Sequence, residues 1–336
     1  MIEAPRVDRL SLDDIPKGQL VRMWLEVGHD SFSAPLAVPV VVIRGSKPGP
    51  VFGVTAAVHG NELNGIPVIH RLIQRTSPDK LRGTLVTAAP VNVPGFHRHT
   101  RRFVDGRDLN TVFPGKSDGH TSHVYASRLL DRLIRHLDFL VDLHTASFGR
   151  QNSLYVRADM REPMTSKLAY LARPEIILHN PPSDSTLRGA AAAADIPAIT
   201  VEIGDPQVFQ PKYIKSTLTG IRSMLSEVEM LPRRSVAPGR PPILCKSSHW
   251  IYTDHGGLLS VLPDVTDTVA EGDLIARQAD IFGDVVREYH APSPGVVIGR
   301  STNPVGQTGA RILHLGDVVG TLPPPTAEEP PEIAED

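Results

Sequence analysis

Apolar and polar positions along this chain of 336 residues follow two regimes that change near residue 231. Before that point, apolar runs alternate with stretches whose apolar positions recur every three or four residues. Residues 20–27, 36–44 and 51–58 read as strands, and Ser46-Lys-Pro-Gly-Pro50 supplies the turn between the last two. Residues 65–75 carry helical periodicity at Ile66, Ile69, Leu72 and Ile73. A short strand at 85–90, a helix at 122–137 and a strand at 139–143 follow. An alanine-rich helix at 186–194, a strand at 198–203 and a helix at 213–231 complete this part. Strands alternating with helices predict an α/β fold: a mostly parallel sheet flanked by helices, preceded by an N-terminal β extension. Residues 92–120 lack periodicity, and a loop that long inside a compact domain is usually functional.

The second regime has no helical period. Pro232-Arg-Arg-Ser-Val-Ala-Pro-Gly-Arg-Pro-Pro242 has the composition of a linker. Residues 243–322 alternate short strands with Gly, Pro and Asp turns, which predicts a small all-β, barrel-like domain. Residues 323–336 are proline-rich and acidic and are expected to be disordered. The predicted organisation is an α/β domain at 1–231, a β domain at 243–322 and a tail at 323–336.

Composition narrows the function classes. With 35 basic and 37 acidic residues the net charge is −2, and no long basic run marks a nucleic-acid or membrane surface. Cys245 is the single cysteine, so neither an internal disulfide nor a Cys-rich zinc site is available. Residues 1–19 are charged and lack the apolar core of a signal peptide. No apolar stretch reaches the roughly 18–20 residues a spanning helix needs. The chain reads as soluble and cytoplasmic, with a small-molecule partner and no nucleic acid or membrane.

Candidate chemistry stands at the ends of the apolar strands. His59-Gly-Asn-Glu62 follows one of them, and Asp142-Leu-His144 ends another. Two imidazoles and one carboxylate make the protein ligand set of a catalytic zinc, which leaves a coordination position open. In a sheet covered on both faces, ligand sites lie beyond the carboxyl ends of the strands. Either histidine alone is as readily a loop cap or a satisfied core residue; the pair with Glu62 is not. A zinc hydrolase also wants a positioned base, and Glu202, ending the 198–203 strand, is the best candidate. An oxyanion wants a preorganised donor, and the loop 101–110 offers Arg101, Arg102 and Arg107, which would otherwise be a solvated basic surface. Asp142 lies on the same strand face as His144 and suits an acceptor for its ring.

His59-Gly-Asn-Glu62, Asp105-Gly-Arg-Asp-Leu-Asn110 with Phe113-Pro-Gly115, Asp142-Leu-His144-Thr145 and Val201-Glu-Ile-Gly204 resemble the succinylglutamate desuccinylase/aspartoacylase family. That family belongs to the zinc carboxypeptidase-like clan, and the likeness runs from about residue 45 to the end. The resemblance implies one zinc ion per chain on His59, Glu62 and His144, with Glu202 as base and proton shuttle. It implies Arg101 rather than Arg102 at the scissile carbonyl, although the tandem arginines leave that register open. It places Asn110 on the substrate carboxylate; Arg102 and Arg188 are candidates for further substrate contacts. One position departs: the family reads Asp-Leu-Asn-Arg, and here the last residue is Thr111. A hydroxyl cannot replace a bidentate cation. Either Arg107, Arg150, Arg157 or Arg188 supplies the charge, with Arg188 preferred, or the substrate lacks a free α-carboxylate.

The C-terminal segments Val269-Ala-Glu-Gly-Asp-Leu-Ile275 and His290-Ala-Pro-Ser-Pro-Gly-Val-Val297 resemble the family's appended lipoyl- or biotinyl-like barrel. No lysine occurs after Lys246, which excludes a covalent carrier; a rim over the active-site mouth or a homo-oligomer contact is the expected role. The leading expectation is a zinc-dependent deacylase of small N-acyl amino acids or related amines. The alternatives are a metallocarboxypeptidase of short peptides and a catalytically silent binding protein.

Overall fold

Strands buried on both faces read as near-continuous apolar runs, and the central strands of this protein are largely apolar, interrupted by Asp142, His144, Thr200 and Glu202 toward their carboxyl ends. In the computed structural model, which describes residues 4–182, 185–233 and 239–321, four such strands lie side by side and parallel. In spatial order they are Arg82–Ala88, Lys47–Ala56, Phe139–His144 and Ala198–Ile203. Phe52, Val54, Leu140, Val141, Ile199 and Val201 are fully buried in them. On one side Pro35–Arg44 pairs antiparallel with Arg82–Ala88, and Gln19–His29 pairs antiparallel with Pro35–Arg44. On the other, Leu154–Ala158 runs antiparallel to Ala198–Ile203 and parallel to Ile176–His179.

Helices cover both faces. Gly65–Gln74 and Pro211–Glu227 press Val68, Ile69, Leu72, Ile214, Leu218 and Ile221 against Val54, Val141 and Val201. Thr121–Arg132 and Leu187–Ala192 cover the opposite face with Tyr125, Leu129, Leu130, Leu187 and Ala191, packed with Val86, Leu140 and Ala198. Among the described residues, no helix is long and apolar enough to cross a membrane.

Several boundaries differ from the expectation for physical reasons. The turn expected at 46–50 shrinks, because the strand already begins at Lys47, which pairs with Arg82. A register shift between Lys47 and Val51 absorbs Pro48 and Pro50, which have no N–H to donate. The helix expected at 122–137 ends at Arg132, where Leu133 leaves helical geometry (φ −128°, ψ −59°), and a 3-10 turn Ile134–His136 completes it. The aperiodic stretch 92–120 contains the short helix Val93–His97, capped by the Asn92 side chain, and the turn Leu109–Thr111, capped by Asp108.

The C-terminal strands form an antiparallel sheet of Val285–His290, Leu274–Ala279, Gly257–Val261 and Val305–Gly306. Leu259, Ile275, Ile312, Leu313 and Leu315 make a core of their own. Hydrogen bonding nevertheless runs across the expected linker. Strand Ile243–Tyr252 pairs parallel with Ile176–His179 at its start and antiparallel with Arg311–Thr321 over most of its length. Gly295–Ser301 pairs with Arg150–Asn152, a second ladder between the two parts. The tail at 323–336 and residues 234–238 of the linker lie outside the described residues.

Candidate active site

Because the central strands are parallel, their carboxyl ends open on one edge, and the loops leaving that edge carry the chemistry. His59 and Glu62 lie in the connection from Lys47–Ala56 to helix Gly65–Gln74. His144 is the last residue of Phe139–His144, and Glu202 is its Cα partner on Ala198–Ile203. A turn closed by the Glu62 N–H donating to the His59 carbonyl (3.1 Å) brings both side chains to one side. Gly60 makes that turn possible: a Cβ there would lie 2.0 Å from the Gly95 carbonyl carbon.

The three side chains converge. His59 Nδ1 lies 2.9 Å from Glu62 Oε1, His144 Nδ1 lies 3.0 Å from Glu62 Oε2, and the two Nδ1 atoms are 3.2 Å apart. All three residues are buried, with ligand atoms within 4.8 Å of one another. Each imidazole is also held from behind. His59 Nε2 is 2.9 Å from Asp108 Oδ1, and His144 Nε2 is 2.7 Å from Asp142 Oδ2. Asp142 in turn accepts a hydrogen bond from Thr55 Oγ1 at 2.7 Å. Carboxylates only accept, so each Nε2 donates to its aspartate, and Nδ1 is the ring atom turned inward toward Glu62. Two imidazole nitrogens and a carboxylate converging on one point, each ring backed by an acceptor, form a donor set that fits a divalent metal.

The same field shows in the ionisation of these groups. Burial opposes the charge of Glu62, but His59 and His144 hold its carboxyl well below the ordinary value. Burial also opposes a charged His144, but Asp142 and Glu62 raise it well above the usual imidazole value. Glu202 goes the other way: its burial raises the carboxyl despite the opposing influence of His144. Its oxygens meet Asn152 Nδ2 at 3.3 Å and Arg157 Nε at 3.9 Å.

The tandem arginines separate. Arg101 enters the site, with Nη1 2.7 Å from Glu62 Oε1 and also donating to Ser147 Oγ. Its Nη2 lies 2.8 Å from Asp108 Oδ2. Arg102 turns outward, exposed, and donates to the Gly106 carbonyl at 2.6 Å. Arg107 is exposed and pairs loosely with Asp105. Asn110 lines the cavity, its Oδ1 accepting from the Leu187 N–H at 2.8 Å. Arg188 also lines it but is buried, donating to the Asn180 carbonyl at 2.9 Å and to Asn180 Oδ1 at 2.8 Å. Thr111 is exposed at the rim, its hydroxyl donating to the Asp108 carbonyl at 2.9 Å. The cavity these residues enclose measures about 250 Å³.

Three contributors have no assigned role in the sequence reading. Asp108 lies inside the quoted Asp105–Asn110 motif, where only the need of His59 for an acceptor singles it out. Ser147 lies close behind His144. Trp250 lines the cavity from the strand Ile243–Tyr252, and no spacing in the sequence links it to the other residues.

Comparison with known proteins places these motifs in context. The family described as succinylglutamate desuccinylase/aspartoacylase catalytic domain matches residues 48–228. N-alpha-acetyl-L-2,4-diaminobutyric acid deacetylase of Halomonas elongata is 24% identical over 298 residues, covering 85% of this chain and 87% of that protein. Succinylglutamate desuccinylase of Pseudomonas aeruginosa is 31% identical over 175 residues, 46% of this chain and 51% of that one. The match to the desuccinylase thus spans about half its length. Among solved structures, the product-bound ectoine utilization protein EutE (DoeB) of Ruegeria pomeroyi superimposes with a TM-score of 0.82 at 21% identity, covering 90% of this chain and 98% of that one. The succinylglutamate desuccinylase/aspartoacylase of Rhodobacter sphaeroides gives a TM-score of 0.81 at 19% identity, covering 94% and 99%.

Proposed function

This chain belongs to the succinylglutamate desuccinylase/aspartoacylase family, and from that premise we propose that it is a zinc-dependent amidohydrolase releasing the acyl group of a small N-acyl amino acid. The observation that carries the reading is the convergence of His59, Glu62 and His144, each imidazole fixed from behind by its own aspartate. When bound, zinc supplies Lewis-acid polarisation of the amide carbonyl and lowers the pKa of water at the site.

The protein's residues take the remaining tasks. Glu202, next to His144 on the adjoining strand, accepts a proton from the attacking water and returns it to the departing amine. Its raised affinity for a proton suits both directions of transfer. Arg101 stands beside the ligands with a guanidinium able to donate to the oxygen on which negative charge develops. Asn110 and Arg188 border the cavity where the amino-acid part would lie. A cavity of about 250 Å³ lined in part by Trp250 suits an N-acyl amino acid better than a protein chain. N-acetyl-L-2,4-diaminobutyrate, the substrate class named for the Halomonas relative, is the first compound to assay.

The test is a hydrolysis screen of metal-analysed protein against N-acetyl and N-succinyl amino acids, acylated diamines and dipeptides. Release of acetate or succinate by protein carrying about one zinc per chain is the expected result. Turnover of dipeptides alone would replace this reading with a carboxypeptidase, and no turnover with full zinc occupancy would leave a binding protein.

A further inference from the structure

We propose that Arg150, stacked over Trp250, is the anchor for the substrate's free carboxylate, supplying the cation that is absent at Thr111. The inference rests on the N-acyl amino acid reading above and assigns the residue that would decide it.

Four arginines line the cavity, and three are already engaged. Arg101 is held by Glu62 and Asp108. Arg157 donates to the Tyr155 hydroxyl at 2.8 Å and lies 3.9 Å from Glu202. Arg188 is buried against Asn180. Arg150 differs: among the described residues its guanidinium has no hydrogen-bond acceptor and no carboxylate within ion-pair distance. It instead lies over the Trp250 ring, 5.6 Å from the centroid. Burial and the neighbouring cations Arg311 and Arg101 oppose its charge, while Glu202 and Glu62 favour it from beyond ion-pair distance. A half-buried guanidinium with its donors unspent, facing a cavity, is complementary to an anion entering that cavity.

Its support is built for position. Trp250 stacks on His314 with centroids 4.9 Å apart and ring planes 8° from parallel. His314 is buried, meets Ser248 Oγ at 2.7 Å and packs edge-on to Tyr155 at 6.2 Å. Burial and the surrounding cations, Arg157 first, push its pKa well below the usual imidazole value, so the platform is neutral. Trp250 is therefore a positioning residue: it fixes the plane of the Arg150 guanidinium and shields one face from water. A carboxylate would meet the free edge in the two-pronged geometry that a threonine hydroxyl cannot provide.

The experiment compares wild type with Arg150→Gln and Arg150→Lys, all loaded with zinc, on N-acetyl-L-2,4-diaminobutyrate and its carboxamide. Calorimetric binding of L-2,4-diaminobutyrate gives a second readout independent of turnover. Arg150→Gln is expected to raise KM for the acid by about 10–100-fold, with kcat nearly constant, and to collapse the wild-type preference for acid over carboxamide. Arg150→Lys should restore part of that preference, since it keeps the charge and loses the fork. Binding of the diamino acid should weaken in parallel while zinc content stays at one per chain. Equal KM changes for acid and carboxamide, or undiminished binding of the diamino acid by Arg150→Gln, would overturn the proposal. Absence of hydrolysis in the wild type would overturn the amidohydrolase reading instead, and the binding measurement would still decide the anchor. Failure of the wild type to bind the carboxylate at all would remove it.

Discussion

Glu202 and His144 are Cα partners on adjacent parallel strands, so one ladder of backbone hydrogen bonds sets the spacing between the candidate base and a candidate metal ligand. Neither depends on a loop for its position. A side chain held in this way loses its proton-transfer role on substitution without disturbing its neighbour.

Glu202→Gln keeps the shape of the side chain and its contact with Asn152 but cannot accept a proton. Turnover is expected to fall by roughly 10²–10⁴-fold with zinc content unchanged. Steady-state kinetics on metal-analysed protein check this, and a near-normal kcat would move the proton transfer elsewhere.

Removing the metal should abolish turnover, and zinc should restore it. His144→Ala deletes one of the proposed ligands and should leave far less than one zinc per chain by elemental analysis. Wild-type thermal stability should rise with zinc concentration, because an ion that binds only the folded state stabilises it by mass action. Full occupancy in His144→Ala would show that another residue completes the site.

Asp108 fixes both the His59 ring and the Arg101 guanidinium. Asp108→Asn retains the size but replaces an acceptor-only carboxylate, so His59 loses its fixed tautomer. A loss of about 10–100-fold in metal affinity is expected, the usual effect of disturbing a ligand's outer partner. Competition with a chromogenic chelator measures it.

Asp105 takes no part in the cavity; its Oδ2 accepts from the Ser122 N–H at 3.1 Å and from Ser122 Oγ at 2.6 Å, capping helix Thr121–Arg132. Burial alone would raise its carboxyl, but the Ser122 bonds bring it below its usual value. Because the folded-state pKa is the lower one, the charge stabilises the fold above the ordinary carboxylate range and that share fades as pH falls through the folded value. Asp105→Ala should cost about 0.5–2 kcal/mol near neutrality. In urea titrations the gap between wild type and Asp105→Asn should narrow below about pH 4.

Gly60→Ala tests the turn that joins His59 to Glu62. Its added carbon would meet backbone at Gly95 and Phe96, 2.0 and 2.2 Å away, and neither can yield as a flexible side chain would. Weaker zinc retention together with a lower Tm is expected; retention at the wild-type level would show that the helix Val93–His97 simply moves aside.

The cluster of His59, Glu62 and His144 is legible because its residue types are rare at the ends of apolar strands and because strand ends are where such sheets bind. Its outer partners were only half legible. Asp142 shares a strand face with His144, which alternation reveals; Asp108 lies in a loop, where no period tells which acid turns inward. Asp105 and Asp108 in fact go opposite ways, one to Ser122 and one to His59. Proline and glycine at 48–50 read as a turn, but pairing between Lys47 and Arg82 holds them in a strand. The region between His144 and Thr186 has no clear period, yet it contributes Arg150–Asn152, Leu154–Ala158 and Ile176–His179 to the main sheet. Trp250 reaches the cavity only through the register of Ile243–Tyr252 on its neighbours, which is a long-range fact.

That register ties the life of the cavity to the far end of the chain. Since Ile243–Tyr252 is hydrogen-bonded to Ile176–His179 on one side and to Arg311–Thr321 on the other, its amides should exchange with deuterium on the same slow timescale as those of Phe139–His144. A chain ended at residue 231 would leave the backbone of Ile176–Leu178 without its neighbour, an open edge inviting strand addition from other molecules. Such a truncation is expected to aggregate, and unfolding of the intact protein to proceed in a single cooperative step.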